Sequence, residues 1–134
     1  MTALVTTLSG VLRYRGREGQ WSWALHRVSG LGTLLFLSIH ILDTATVYFA
    51  PQLYSHAIAL YRHWLFGIGE IILVACVIYH GLNGLRVAVF DWKPEWMVYQ
   101  KQASYTVFAA FLALFIPAAL FMGNTIIQKS ILGR

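Results

Sequence analysis

The sequence predicts an all-α integral membrane protein with three transmembrane helices, and three observations carry that prediction. Of its 134 residues 58% are hydrophobic and 11% charged, with a mean hydropathy of +0.63, far above the values of water-soluble domains. The apolar residues fall in three runs, each long enough to cross a ~30 Å hydrocarbon layer as a helix. Trp21, Trp23, Trp64, Trp92 and Trp96 all stand at the ends of those runs, where an indole buries its ring and keeps its N–H wet.

Residues 1–27 contain Arg13, Arg15, Arg17 and Arg27 with Gly16 and Gly19. They lack the uninterrupted apolar stretch of a cleaved signal peptide, so they read as a retained polar tail. The first span covers about 28–50 and is ended by Pro51. The second covers about 64–90 and is interrupted by Glu70, His80, Asn83 and Arg86; the third, about 106–127, contains Pro117, which predicts a kink. Lys and Arg in short loops stay on the cytoplasmic side. The tail arginines with Arg86, Lys93 and Lys101 outnumber Arg62, Lys129 and Arg134 on the other side, which places the N-terminus in the cytoplasm. No internal repeat is present, and three helices make an incomplete bundle, so pairing with a second membrane subunit is expected.

Several function classes are excluded at this level. The net charge is +5, yet the cations sit in short clusters between apolar runs, not along one polar face, which argues against nucleic acid as a partner. The single cysteine, Cys76, lies inside an apolar run and builds neither a disulfide nor a thiolate cage for zinc or an iron–sulfur cluster. There is no G-x-G-x-x-G or P-loop string. Any redox centre in this chain uses histidine ligands.

Polar groups inside a hydrocarbon span cost a few kcal/mol by insertion scales, so each is a candidate for function or for pairing with another helix. His40, Asp43, Glu70, His80, Asn83 and Arg86 form that set. His80 shares one helical stripe with Val77, Gly81 and Gly84. Missing side chains beside an imidazole suit a haem iron ligand, because a porphyrin needs cleared surface; they equally suit a histidine bonding across a close helix interface. His40 has the same two readings, the second through Asp43 or Thr44. Measured from Arg27 and Arg86 at 1.5 Å per residue, the two histidines differ in depth by about 10 Å, so each would take its opposite axial partner from another chain. At the mouth of the first span, Arg27 and His26 could clamp a carboxylate such as a propionate, while Ser22 and Trp23 could donate to a quinone carbonyl; interfacial anchoring is the plainer reading. Arg86 with Asp91 has the same pair of readings. Glu70 reads as a snorkelling side chain with a proton path as the alternative, and His56 and His63 receive no role.

Two strings in this chain resemble the signatures of the cytochrome b subunit of succinate dehydrogenase. They are Ser22-Trp23-Ala24-Leu25-His26-Arg27-Val28-Ser29-Gly30, opening the first span, and His80-Gly81-Leu82-Asn83-Gly84-Leu85-Arg86-Val87-Ala88-Val89-Phe90-Asp91, closing the second. Both occur in order and at the correct ends of their helices. The resemblance implies a membrane anchor in the bacterial cytoplasmic membrane, holding a flavoprotein and an iron–sulfur subunit to the cytoplasmic face beside a second membrane subunit. It implies haem b, with His80 as iron ligand, His26, Arg27 and Arg86 toward the propionates, and a quinone substrate near Ser22, Trp23 and Arg27. A two-haem version adds His40 as ligand to a distal haem. The chain itself would hold no flavin or iron–sulfur site and would serve as the electron-transfer subunit. This sequence departs from the family pattern in spacing Ser22 three residues from His26-Arg27, with Trp23 at the usual serine position, and in carrying Val87 after the second motif's arginine. A fumarate reductase anchor fits the same motifs, and a small oligomeric proton- or cation-coupled transporter using Asp43 or Glu70 is the reading from another class.

Overall fold

The structure is a computed structural model that describes residues 18–61 and 63–128. The tail through residue 17, with Arg13, Arg15 and Arg17, lies outside the described residues, as do Arg62, Lys129 and Arg134. The described chain forms four α-helices: α1 Glu18–Phe49, α2 Pro51–Tyr61, α3 Trp64–Trp92 and α4 Gln100–Ile126. A 3₁₀ segment, Pro94–Tyr99, joins α3 to α4. No strand occurs among the described residues. Three spans are long and apolar enough to cross a membrane: Gly19–Phe49, Trp64–Trp92 and Pro94–Ile126.

The spans match the three apolar runs, but hydropathy misplaces two boundaries. α1 starts at Glu18, about ten residues before the apolar run; Ser22 in this stretch is buried and bonds to Asn83 of α3, a polar contact that accompanies the helix beyond the region that apolar composition marks. The segment after Pro51, expected as loop, is the 11-residue helix α2. Ala50 closes α1 by donating its N–H to Thr46 O at 2.8 Å, then accepts from the N–H groups of Leu53 and Tyr54. Proline at the first helical position suits this arrangement, since its missing N–H would have no intrahelical partner there. α4 runs through Pro117 without interruption, although the proline lacks the N–H that would have served Ala113.

α1 and α3 run antiparallel. His26 meets Gly84, Gly30 meets His80 and Gly32 meets Cys76 in succession along the pair. α4 returns against α3, so that Arg86 reaches Ser104 near one end and Gly67 packs on Ile126 at the other. In lipid, apolar burial gives little reason for helices to associate, and packing of small residues with interhelical hydrogen bonds does more of the work. The buried groups follow that rule. Tyr79 is the buried hydrophobic residue among the described ones, while Ser22, Ser29 and Asn83 are buried polar residues. Ser22 Oγ donates to Asn83 Oδ1 at 2.8 Å, and Tyr79 OH donates to Ser22 Oγ at 3.4 Å. The Tyr79 ring meets Phe111 edge-on at 5.7 Å, and Phe111 stacks on Phe115 at 5.3 Å, which extends the same contact into α4.

Candidate functional site

The polar groups separate into two clusters at opposite ends of the α1–α3 pair. The first lies where the beginning of α1 crosses the end of α3. His26 and His80 face each other there as parallel rings, with centroids 4.1 Å apart and planes 8° from parallel. His80 Nδ1 lies 3.1 Å from the backbone carbonyl oxygen of His26. A carbonyl only accepts, so Nδ1 carries the proton and Nε2 keeps its lone pair. No hydrogen bond to His80 Nε2 is found among the described residues.

Glycine makes this contact. A Cβ on Gly30, one turn after His26, would stand 2.8 Å from His80 Cε1 and 3.1 Å from Nδ1, inside the distance real carbon contacts adopt. The two glycines picked out beside His80 behave differently from each other. Gly84 serves His26, whose Cε1 would lie 3.5 Å from a Cβ there, whereas Gly81 has open space where its Cβ would be. Of the two, Gly81 is the one with unoccupied space beside it.

Arg86 donates through a terminal guanidinium nitrogen to Ser104 Oγ, and Ser104 Oγ donates in turn to Gln100 O at 2.9 Å. Its Nε is buried without a partner, and so is His26 Nδ1. Buried polar atoms without partners are rare enough to require an explanation. Arg27 is exposed and lies over the Trp23 ring, its guanidinium carbon 4.0 Å from the centroid. Trp23 is itself 49% exposed. Ser22, expected with Trp23 and Arg27 as a quinone contact, faces inward on Asn83. Asn83, one of the in-membrane polar residues picked out from the sequence, pairs with another helix through Ser22; Ser104 was not singled out, and only the interhelical register brings it to Arg86.

The second cluster surrounds a cavity of about 340 Å³ toward the end of α1, lined among others by Phe36, His40, Asp43, Tyr61, Phe66 and Glu70. His40 stacks on Phe36 at 5.5 Å. Its backbone carbonyl, not its ring, receives the Thr44 hydroxyl. Asp43 accepts from Tyr61 OH, which ties α2 to α1. Glu70 is exposed and also borders a second hollow with Val74, Val77 and Met122. Because His80 abuts Gly30, and His40 lies ten residues further along α1, the two imidazoles are about 15 Å apart in depth. The shorter value taken from the arginines assumed one level for both, whereas Arg86 lies about a turn further out than Arg27 in this register. Either separation keeps the two histidines off one iron. Among the described residues no three His, Cys, Asp or Glu side chains converge on a point.

The Asp43–Tyr61 link has a measurable consequence. The hydrogen bond to the carboxylate, then burial and the carboxylate's charge, raise the Tyr61 pKa above the ordinary phenol value. Asp43→Asn removes the charge and lowers that pKa. The check is the tyrosinate absorbance titration of each protein minus that of its Tyr61→Phe counterpart; an unchanged Tyr61 midpoint would count against the contact.

The fold and the paired motifs define a class: a small three-span membrane subunit whose motif residues meet where the beginning of α1 crosses the end of α3. The chain belongs to the succinate dehydrogenase/fumarate reductase transmembrane subunit family, whose model matches residues 6–121. Among curated relatives, the succinate dehydrogenase 2 membrane subunit SdhC of Mycobacterium tuberculosis is 38% identical over 128 residues, covering 92% of this chain and 94% of that protein.

Proposed function

We propose that this chain is the haem b-binding membrane anchor of a succinate:quinone oxidoreductase, passing electrons from succinate oxidation through an iron–sulfur subunit to a membrane quinone. The observation that carries the reading is the His80 hydrogen bond. Metal-bound histidines typically donate their second ring N–H to a carbonyl or carboxylate, which fixes the tautomer and raises the basicity of the ligating nitrogen. His80 has that arrangement, with Nδ1 on the His26 carbonyl and Nε2 left to coordinate. The open side at Gly81 leaves room for a flat macrocycle. The partnerless Arg86 Nε is a donor suited to a propionate, with His26 beside it and Arg27 as a further cation at the same mouth.

Haem b held here would supply a one-electron relay. The chain's own task is then to hold and orient: His80 would provide a nitrogen ligand, with a second membrane subunit completing the site. His40, with its ring on Phe36 and lining the second cavity, is the ligand for a distal haem in a two-haem version. Trp23 and Arg27 present an indole N–H and a guanidinium to a quinone carbonyl, and Ser22 fixes the turn that carries them through its bond to Asn83. The flavoprotein and iron–sulfur subunits dock on the cytoplasmic face, in the bacterial cytoplasmic membrane. The same anchor would serve fumarate reduction, since the direction of electron flow is set by the other subunits and the quinone.

The test is a pyridine haemochrome assay on the purified complex. One or two b-type haems per copy of this chain are expected, with a reduced α band in the visible spectrum. A complex with all its subunits and no haem overturns the reading.

A further inference from the structure

The close approach of Gly30 to the His80 ring has no counterpart in the roles given above, which concern side chains that touch cofactor or quinone. Gly30 has no side chain to offer. What it offers is the absence of a Cβ at the place where the imidazole must lie to reach the His26 carbonyl. We propose that Gly30 is a positioning residue for the haem ligand: by letting the His80 ring rest on α1 with Nδ1 against the His26 carbonyl, it sets the reduction potential of iron bound at Nε2. This inference rests on His80 being an axial ligand.

The physical chain is short. His26 and Gly30 are one helical turn apart, so the carbonyl of the first points along the helix past the Cα of the second. A ring donating to that carbonyl must pass over residue 30. With alanine there, contacts of 2.8 Å and 3.1 Å force the ring to turn or withdraw, and the 3.1 Å Nδ1–carbonyl contact lengthens. An imidazole that donates strongly through Nδ1 has more anionic character, is the better ligand, and favours ferric iron. Weakening that bond therefore favours the ferrous form and raises the potential.

Besides the helix's own Gly30 N–H, the carbonyl receives a second side-chain donor, Ser29 Oγ, at 3.0 Å. Donors on one acceptor compete for the same oxygen. Removing the hydroxyl leaves the carbonyl more fully to His80, so Ser29→Ala acts in the opposite direction to Gly30→Ala. This change deletes one atom from a buried site and introduces no clash. Gly32 supplies the control. A Cβ there would meet Cys76 Sγ at 2.9 Å, an equally tight intrusion between the same two helices that does not touch His80.

The experiment is a redox titration of the haem α band, with ferric electron paramagnetic resonance spectra, on the intact complex carrying Gly30→Ala, Ser29→Ala or Gly32→Ala. Gly30→Ala is expected to shift the reduction equilibrium of one haem about tenfold toward the ferrous form, ~59 mV for a one-electron couple, and to move its largest g-value. Ser29→Ala is expected to shift the same haem toward the ferric form, and Gly32→Ala to leave both readouts at wild-type values. If Gly30→Ala fails to assemble, the sign of the Ser29→Ala shift decides. Equal potentials and spectra in the Gly30 and Gly32 variants, or an upward or absent shift in Ser29→Ala, overturn the inference. A wild-type complex without haem instead overturns the reading beneath it, and the haemochrome assay separates the two failures.

Discussion

Replacing His80 with alanine is expected to remove at least one haem from the assembled complex. The α band disappears if the complex holds one haem and falls by about half if it holds two. The substitution deletes the proposed axial nitrogen together with the ring that stacks on His26 at 4.1 Å, so no nearby group on this chain takes its place: His26 has its Nδ1 buried, and His40 lies about 15 Å deeper by helical rise. Succinate oxidation by an artificial acceptor served at the iron–sulfur subunit should persist, while quinone reduction falls by more than about tenfold, the lower range for disturbing a metal ligand's support. Unchanged haem content in His80→Ala would remove this residue from the ligand set.

Asn83→Leu is the second large effect, and it falls on stability. Asn83 is 1% exposed and accepts from Ser22, which in turn accepts from Tyr79. Leucine keeps the approximate volume but leaves the Ser22 hydroxyl without its acceptor at the centre of the bundle. Interhelical hydrogen bonds in membrane proteins average about 0.6 kcal/mol, and an unsatisfied buried partner adds to that loss, so a cost of about 1–2 kcal/mol is expected. Thermal melts in detergent of the two single variants and of Ser22→Ala with Asn83→Leu form a cycle. The double variant should lose less than the sum of the singles; strict additivity would mean the bond contributes nothing.

Hydropathy alone was enough to read three spans, because lipid imposes a length and a composition on each one. It could not reveal α2, whose 11 residues are too few to cross a membrane and too mixed to stand out from a loop. It also missed the first turns of α1, where Ser22 makes polar contacts to α3 that hydropathy does not score. His80 stood out as an imidazole followed by Gly81 and Gly84 on one helical stripe. Its partner was not readable, since the pairing of His80 with His26 and Gly30 depends on the register between antiparallel helices, and no short-range pattern encodes that. Gly30 did leave one sequence trace: it sits four residues after His26, on the same helical face. The depth of His40 relative to His80 came out short because Arg27 and Arg86 stand at different levels in the α1–α3 register and make poor rulers.

The described chain hides one large hydrophobic side chain, Tyr79, and leaves most of its leucines, valines and phenylalanines uncovered. It is therefore a stave and not a cask: its shape is finished by whatever stands beside it in the bilayer. During solubilisation, colour should be lost when neighbouring staves part, well before the helices themselves unravel, so bleaching of the preparation reports disassembly and helical circular dichroism reports a later event.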